Sequence, residues 1–552
     1  MTASTPRPWK WILVYLPYGL IISAYLAGMF VELMEIDATQ YATMSRSMLR
    51  TGEYLQIWDK GRAYLDKPPL IFWMSALSYK IFGVSGWAYK LPSVLLSLWA
   101  IYGTDRLGRL LYGRRAGYLA GLVLGSCQAF FLMNNDVKTD MYLIAPMVVG
   151  VWLLLRWSRE GRAWDWVAGA LCLGLALLGK GPMGLIAPAM AIGTDLLLRR
   201  DWGTLFKVQW LLVLPIALAV TTPFLIGLHH QHGWQGVEFF LWTQSFGRVT
   251  GQSEWSNDAT AFFFVHSFAW SFLPWTAMFL VALGRRLWAV TKGRFRLPAA
   301  AEGVTLAGFV LVFIALCFSK FKLPHYIFVT YPFAAVMVGA FWVEVLEGDA
   351  GKRWMKAFLW IQGVLAVLVV LITLALAFWA FRDSALVPNI VFLLLASGLL
   401  VGFWRAKSPR TRLLIPTVMA MAVCNLLLNW GIYPALMEYH STALAGKKVS
   451  ALGPDQEVYA FIVSGRALDF YAPNDAKPVP RIDDLTIVAE NGPVLIYTDE
   501  DGVRLTKEAG LYYEILGEWR HHNPAKLTLP FLNPETRAND VKLRYLLRVD
   551  KL

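Results

Sequence analysis

Five short polar stretches interrupt an otherwise apolar chain, and their residue types suit work on charged groups. The first, Asp37-Ala38-Thr39-Gln40-Tyr41, is followed by Met44, Ser45, Met48 and Leu49 at helical spacing, which predicts an amphipathic helix. Asp37 with Gln40 three residues later also matches a helix cap, so capping and catalysis both fit. The second, Tyr64-Leu65-Asp66-Lys67-Pro68-Pro69-Leu70, places a lysine between an acid and two prolines. Lysine is a compact point charge for a phosphate, while a charged helix start is the plainer reading. The third, Asn134 to Asp140, offers a second acid. If Asp140 and Asp37 shared a partly dry hollow, the pair would bind an ammonium, orient a nucleophile or stabilise a developing oxocarbenium ion. Capping by Thr139 or Asp140 is again the alternative.

The fourth stretch holds His229-His230-Gln231-His232, Glu238 and Arg248. Three close histidines invite a metal, but no acid stands at ligand spacing, and an interfacial polar cluster fits better. Arg248 follows Trp242 and Phe246, as in a surface helix whose guanidinium forks onto a phosphate or anchors to headgroups. The fifth, Ser319 to Tyr326, contains Lys320, Lys322, His325 and Tyr326.

These stretches must be held by membrane helices. Of 552 residues, 57% are apolar and only 16% charged, against about a quarter charged in soluble proteins. Disordered, fibrous and disulfide-scaffold classes are excluded. Cys127, Cys172, Cys317 and Cys424 all lie in apolar runs, which suggests neither a disulfide framework nor a Cys-rich zinc site. Thirteen apolar stretches between Trp9 and Tyr433 read as spans, among them Ala116–Met133 and Ala261–Leu283, each taken as one helix.

With alternation, one set of loops collects Arg7 and Lys10, Arg106 to Arg115, Arg156 to Arg162, Arg199 to Lys207, Arg285 to Arg296, Lys352 to Lys356 and Arg405 to Arg412. The positive-inside rule makes that side cytoplasmic, which accounts for the net charge of +13 without nucleic acid. The first span reads as a signal anchor. Loops 32–89 and 229–260, and the tail, fall on the outer side. Lys320 and Lys322 break the charge pattern there, suiting an anionic headgroup or ordinary snorkelling. The expected division is a membrane unit, 1–437, and a small α/β domain, 438–552, whose tail carries β-type runs at Val458–Val463 and Val494–Tyr497.

Asp37-x-x-x-Tyr41, Leu65 to Leu70, Lys180-Gly181-Pro182, Phe239-Phe240 with Arg248, Leu273-Pro274-Trp275, and Leu323-Pro324-His325-Tyr326 with Pro332 occur in this order. In that order they resemble bacterial polyprenyl-phosphate-dependent glycosyltransferases of the GT-C fold, and among these the lipid A 4-amino-4-deoxy-L-arabinose transferase family. The resemblance covers the chain to about residue 345 and the tail only weakly. Ala38, where many relatives have a second acid, and Val329, which interrupts a proline pattern, depart from it.

The resemblance implies a helical GT-C membrane protein of the bacterial inner membrane with a periplasmic active site. It would transfer aminoarabinose from undecaprenyl phosphate to a lipid A phosphate, giving polymyxin resistance. Carried over by motif, Asp37 would be the principal catalytic acid and Asp140 the second, and Lys67, Arg248 and Tyr326 would contact the carrier phosphate; Lys320, which breaks the charge pattern, and His325, beside Tyr326, join them as expected substrate-binding residues. It implies no required cofactor, leaves a divalent metal open, and suggests a monomer working among membrane lipids. A phosphate acceptor is largely ionised near neutral pH, so Asp37 would orient more than deprotonate. Rival readings are a protein hydroxyl or other lipid acceptor, for which Asp37 must act as a base, and a lipid-linked sugar flippase. The acids lie at outer span ends rather than mid-membrane, which disfavours transport.

Overall fold

The computed structural model describes residues 9–247, 257, 259–297, 302–347, 351–382, 386–405 and 409–550. Helix α1 (Trp9–Met29) leads to α2 (Asp37–Thr51) and a two-stranded hairpin, β1 (Trp58–Asp59) and β2 (Arg62–Ala63). Next come α3 (Leu70–Phe82), α4 (Gly86–Tyr112), α5 (Arg114–Ser126), α6 (Gln128–Asn135), α7 (Asp140–Glu160), α8 (Ala163–Lys180) and α9 (Met183–Arg199). A long helix, Gln209–Glu238, and further helices through Met437 complete the helical part. Among the described residues six helices are long and apolar enough to cross a membrane, or seven when a bent pair counts as one span. That is fewer than the thirteen stretches read from hydropathy, several of which form shorter apolar helices such as Val304–Cys317.

Two expected spans are broken. Ala116–Met133 becomes α5 and α6, bent by 50° at Cys127, whose backbone is extended. The break frees the Gln128 N–H to donate to the Leu273 carbonyl at 3.0 Å. Ala261–Leu283 becomes Phe263–Ser271 and Thr276–Lys292, separated at Pro274, which has no N–H to continue a helical ladder. Trp275 then donates its Nε1 to Ser126 Oγ at 3.0 Å, tying one break to the other.

The loops are equally built. Gln231 clamps the hairpin by accepting from the Ile57 N–H at 3.2 Å and donating to the Ile57 carbonyl at 2.8 Å. Glycine is needed nearby, because a Cβ at Gly227 would stand 2.0 Å from the Leu55 carbonyl oxygen. The stretch expected as a loop from residue 229 therefore begins as helix, because its turn packs against the first loop.

From Ser441 onward the chain folds around a five-stranded mixed sheet. Its strands are β3 (Val458–Phe461), β4 (Lys477–Val479), β5 (Val494–Asp499), β6 (Tyr512–His521) and β7 (Lys542–Asp550), in the order β4-β3-β5-β7-β6. The β4, β3 and β5 pairings are parallel, and β7 runs antiparallel to both neighbours, with Ile496 opposite Leu547. This segment grips α2. Arg46, nearly buried, donates to the carbonyls of Asp469, Phe470 and Ala472 at 2.8, 3.1 and 2.8 Å and to Asp475 Oδ1 at 2.7 Å.

Candidate active site

Asp37 is the first residue of α2, and the position before it, Ile36, makes no side-chain cap. The capping role allowed by its sequence is not what its carboxylate does. Asp37 Oδ2 instead accepts from Lys138 Nζ at 2.8 Å, and Lys138 also meets Asp136 at 3.0 Å. Burial alone would lower the Lys138 pKa, but the two carboxylates outweigh it and raise the pKa well above the ordinary lysine value. Asp136 shifts up because burial outweighs its attraction to Lys138.

These groups open onto a cavity of about 320 Å³ lined by Asp37, Tyr64, Lys67, Lys138, His325 and Tyr326, among others. Lys67 pairs with the adjacent Asp66, whose backbone carbonyl receives the side-chain amide of Gln244. Burial, then the charge of Asp66, pushes the Tyr64 phenol up, so it stays a neutral hydrogen-bonding group.

A second cavity, of about 80 Å³, shares Lys67, Thr139, His325 and Tyr326 with the first. Lys180 adds a second cation to its wall, Gln244 and Ser319 add polar groups, and Leu143, Met183, Leu316 and Val329 make the remainder apolar. The polar hollow and a narrower, cation-headed apolar pocket therefore meet at Lys67.

Asp140 stands behind this junction. It is 1% exposed, with Oδ1 accepting from Lys180 Nζ at 2.5 Å and Oδ2 3.9 Å from His325 Nε2. Thr139, the residue before α7, makes no side-chain cap. Lys180 reaches Asp140 because α8 lies tightly on α7: a Cβ at Gly179 would fall 2.3 Å from the Tyr142 carbonyl oxygen. The Lys180 ammonium also sits 4.5 Å from the centre of the Tyr326 ring.

The structure thus draws Asp37, Lys67, His325 and Tyr326 to one hollow and puts Asp140 in its supporting wall. Lys320 is exposed and lines neither cavity. Its neighbour Lys322 is buried, its ammonium donating to the Ser319 and Ala259 carbonyls at 2.6 and 3.0 Å. Arg248 lies outside the described residues. Among the described residues no group of three or more His, Cys, Asp or Glu is placed to hold a metal ion. His229 instead packs 4.8 Å from the Trp234 ring.

Sequence reasoning passed over Lys138 and Lys180 as site residues. Both carried a usable signal, since each is a cation between apolar stretches on the side that the positive-inside reading leaves poor in basic residues.

Residues 66–226 match the family described as dolichyl-phosphate-mannose-protein mannosyltransferase. An uncharacterized protein of Aquifex aeolicus is 26% identical over 84% of this chain and 87% of its own length. An undecaprenyl phosphate-α-4-amino-4-deoxy-L-arabinose arabinosyl transferase of Edwardsiella ictaluri is 27% identical over 64% of this chain and 63% of its own. The transferase of that name from Pseudomonas paraeruginosa is 26% identical over 72% and 71%. The chain therefore spans about two thirds of the length of these two transferases. Among solved structures, ArnT from Cupriavidus metallidurans bound to undecaprenyl phosphate superposes with a TM-score of 0.72 at 19% identity, covering 98% of both chains.

The fold is that of ArnT, of the GT-C class, and the matched family and the named relatives are glycosyltransferases. Within that class it lies close to the undecaprenyl phosphate-aminoarabinose arabinosyl transferases.

Proposed function

We propose that this protein transfers 4-amino-4-deoxy-L-arabinose from undecaprenyl phosphate to a lipid A phosphate at the periplasmic face of a bacterial inner membrane, giving resistance to cationic peptides. The observation that carries this reading is the meeting of two cavities at Lys67. One is lined by acids and phenols together with the lysines that pair with those acids, the other by the Lys67 and Lys180 cations and mostly apolar side chains. A sugar with an ammonium suits the first, and a lipid-borne phosphate suits the second.

In the reaction an acceptor phosphate oxygen forms a bond to the anomeric carbon while the bond from that carbon to the carrier phosphate oxygen breaks. Negative charge grows on the departing undecaprenyl phosphate. Lys67 and Lys180 face the place where it grows, and stabilising a leaving group in this way lowers the barrier selectively in the transition state. Asp37 faces the sugar, where it orients the ring and offsets positive charge developing at the anomeric carbon. Asp140 holds Lys180 and backs His325 and so works through its neighbours.

The mannosyltransferase match favours a second reading, with a protein hydroxyl as acceptor. That reaction needs a base, and the Asp37 carboxylate is already engaged by Lys138. The phosphate acceptor asks less of it. The outer placement of the C-terminal segment and a monomeric protein belong to the same proposal.

Purified protein in liposomes with undecaprenyl phosphate-aminoarabinose and lipid A should add the mass of one aminopentose to lipid A. Modification of a peptide hydroxyl with lipid A left untouched would replace this reading with the second.

A further inference from the structure

One polar residue of the first cavity has no part in the chemistry described above. Gln40 lies one turn after Asp37 on α2 and lines the same cavity. Its amide Nε2 donates to Asp59 Oδ2 at 2.9 Å. Asp59 belongs to β1 and is held from its other side by Arg466, which donates from Nη1 to Oδ1 at 2.7 Å and from Nη2 to Oδ2 at 2.9 Å. Both groups are largely covered, the side chains being 14% and 30% exposed for Asp59 and Arg466. A forked guanidinium–carboxylate pair is geometrically demanding and fixes the carboxylate plane.

That fixed plane decides which way the Gln40 amide faces. An ionised carboxylate only accepts hydrogen bonds, so the end of the amide turned to Asp59 has to be the NH₂. The carbonyl oxygen Oε1 is then the end the amide retains for a ligand. Around it the cavity holds the Asp37 and Asp66 carboxylates, the Tyr41 and Tyr64 phenols, and the Lys138 and Lys67 ammonium groups that pair with the two acids. With both acids already paired, the Gln40 carbonyl is an uncharged acceptor for a ligand that carries hydroxyl and ammonium donors.

We propose that Gln40 is a sugar-recognition residue whose side-chain carbonyl accepts a hydrogen bond from the transferred sugar, in an orientation fixed by Asp59 and by Arg466 from the C-terminal segment. This deepens the proposed function and rests on it. Asp59 and Arg466 act through Gln40 and are positioning residues. Arg466 opens the short helix Arg466–Tyr471 between β3 and β4, so the C-terminal segment takes part in the donor site without reaching the cavity itself.

The test compares two lipids, undecaprenyl phosphate-aminoarabinose and sugar-free undecaprenyl phosphate, with the full-length protein in liposomes. Gln40→Leu removes the acceptor at similar size. It should raise the KM for the sugar donor about tenfold, the worth of one hydrogen bond to a charged group. Affinity for the sugar-free lipid should stay within about twofold, because no hydrogen bond to the phosphate is lost.

Arg466→Met should shift donor KM in the same direction by less. The double variant should be no worse than Gln40→Leu alone, since both act on one contact. An unchanged donor KM in Gln40→Leu overturns the assignment, and so does an equal loss of affinity for both lipids, the mark of a merely structural role. Wild-type protein that turns over no aminoarabinose donor overturns the proposed function and this inference together. Wild-type turnover with an unaltered Gln40→Leu overturns this inference alone.

Discussion

The Lys138 ammonium lies 2.8 Å from the Asp37 carboxylate, although 101 residues separate the two in the chain. The contact joins the start of α2 to the turn before α7, and so fixes the acid against the membrane helices. Lys138 is the shared partner of Asp37 and Asp136, two carboxylates that would otherwise repel each other across the cavity wall.

Asp37→Asn should lower kcat for sugar transfer by about 100-fold or more, in line with loss of a preorganised charge in an active site. Lys138→Met should also depress kcat, because the freed acids repel and Asp37 shifts, whereas Lys138→Arg should recover part of the rate. Single-turnover kinetics in liposomes measure both. A Lys138→Met enzyme with normal kcat would remove Lys138 from the site.

Lys180→Met should weaken binding of sugar-free undecaprenyl phosphate by about tenfold, the effect of one charge-assisted contact. Asp140→Asn should do so more mildly, since it loosens Lys180 without removing it. Quantitative lipid binding by native mass spectrometry reads this out, and an Asp140→Asn loss confined to kcat would instead make Asp140 a direct participant.

Arg46→Met should cost about 1–3 kcal/mol of stability, the range for leaving buried hydrogen-bonding groups without a partner, because Asp475 is 37% exposed and its ion pair is screened by solvent. The variant leaves the carbonyls of Asp469, Phe470 and Ala472, and the Asp475 carboxylate, without their shared donor. A lower thermal midpoint, with earlier proteolysis between α2 and the C-terminal segment, is the expected result.

Acid should weaken the C-terminal segment in two stages. His521, bonded through Nδ1 to Ser441 Oγ at 2.8 Å, has its pKa pushed from 6.5 down to about 4 by burial and by nearby Arg544. A folded pKa below the unfolded one means its contribution is complete above pH 6.5 and fades as pH falls from 6.5 to about 4. Glu35 adds a lower window. Burial would raise its pKa, but the His440 imidazole 3.8 Å away and hydrogen bonds from the Ala467 N–H and the Thr442 hydroxyl outweigh this and lower it below 4.5. Its contribution is therefore present above pH 4.5 and lost as pH drops through its folded pKa. Thermal melts across this range should show both losses. His521→Gln should flatten the upper one and Glu35→Gln the lower.

Composition and hydropathy in the sequence alone indicated a helical membrane protein, and motif order a resemblance to the GT-C class; the polar stretches that line the cavities were visible as interruptions of apolar runs. These depend on local residue types and on the bilayer length a span must match. Asp37 and Lys67 were visible as charged residues at the ends of apolar runs, whereas His325 and Tyr326 stood out through the motif that carries the resemblance. Chain folding decided the break at Cys127 and its tie to the one that Pro274 imposes locally, because the bonds that compensate both come from residues distant in sequence. It also decided that Asp37 meets Lys138 rather than capping α2, and that Asp140 serves Lys180 from behind the cavity. A carboxylate's role is set by which cation lies within about 4 Å of it, and that distance is a property of packed helices rather than of neighbours along the chain.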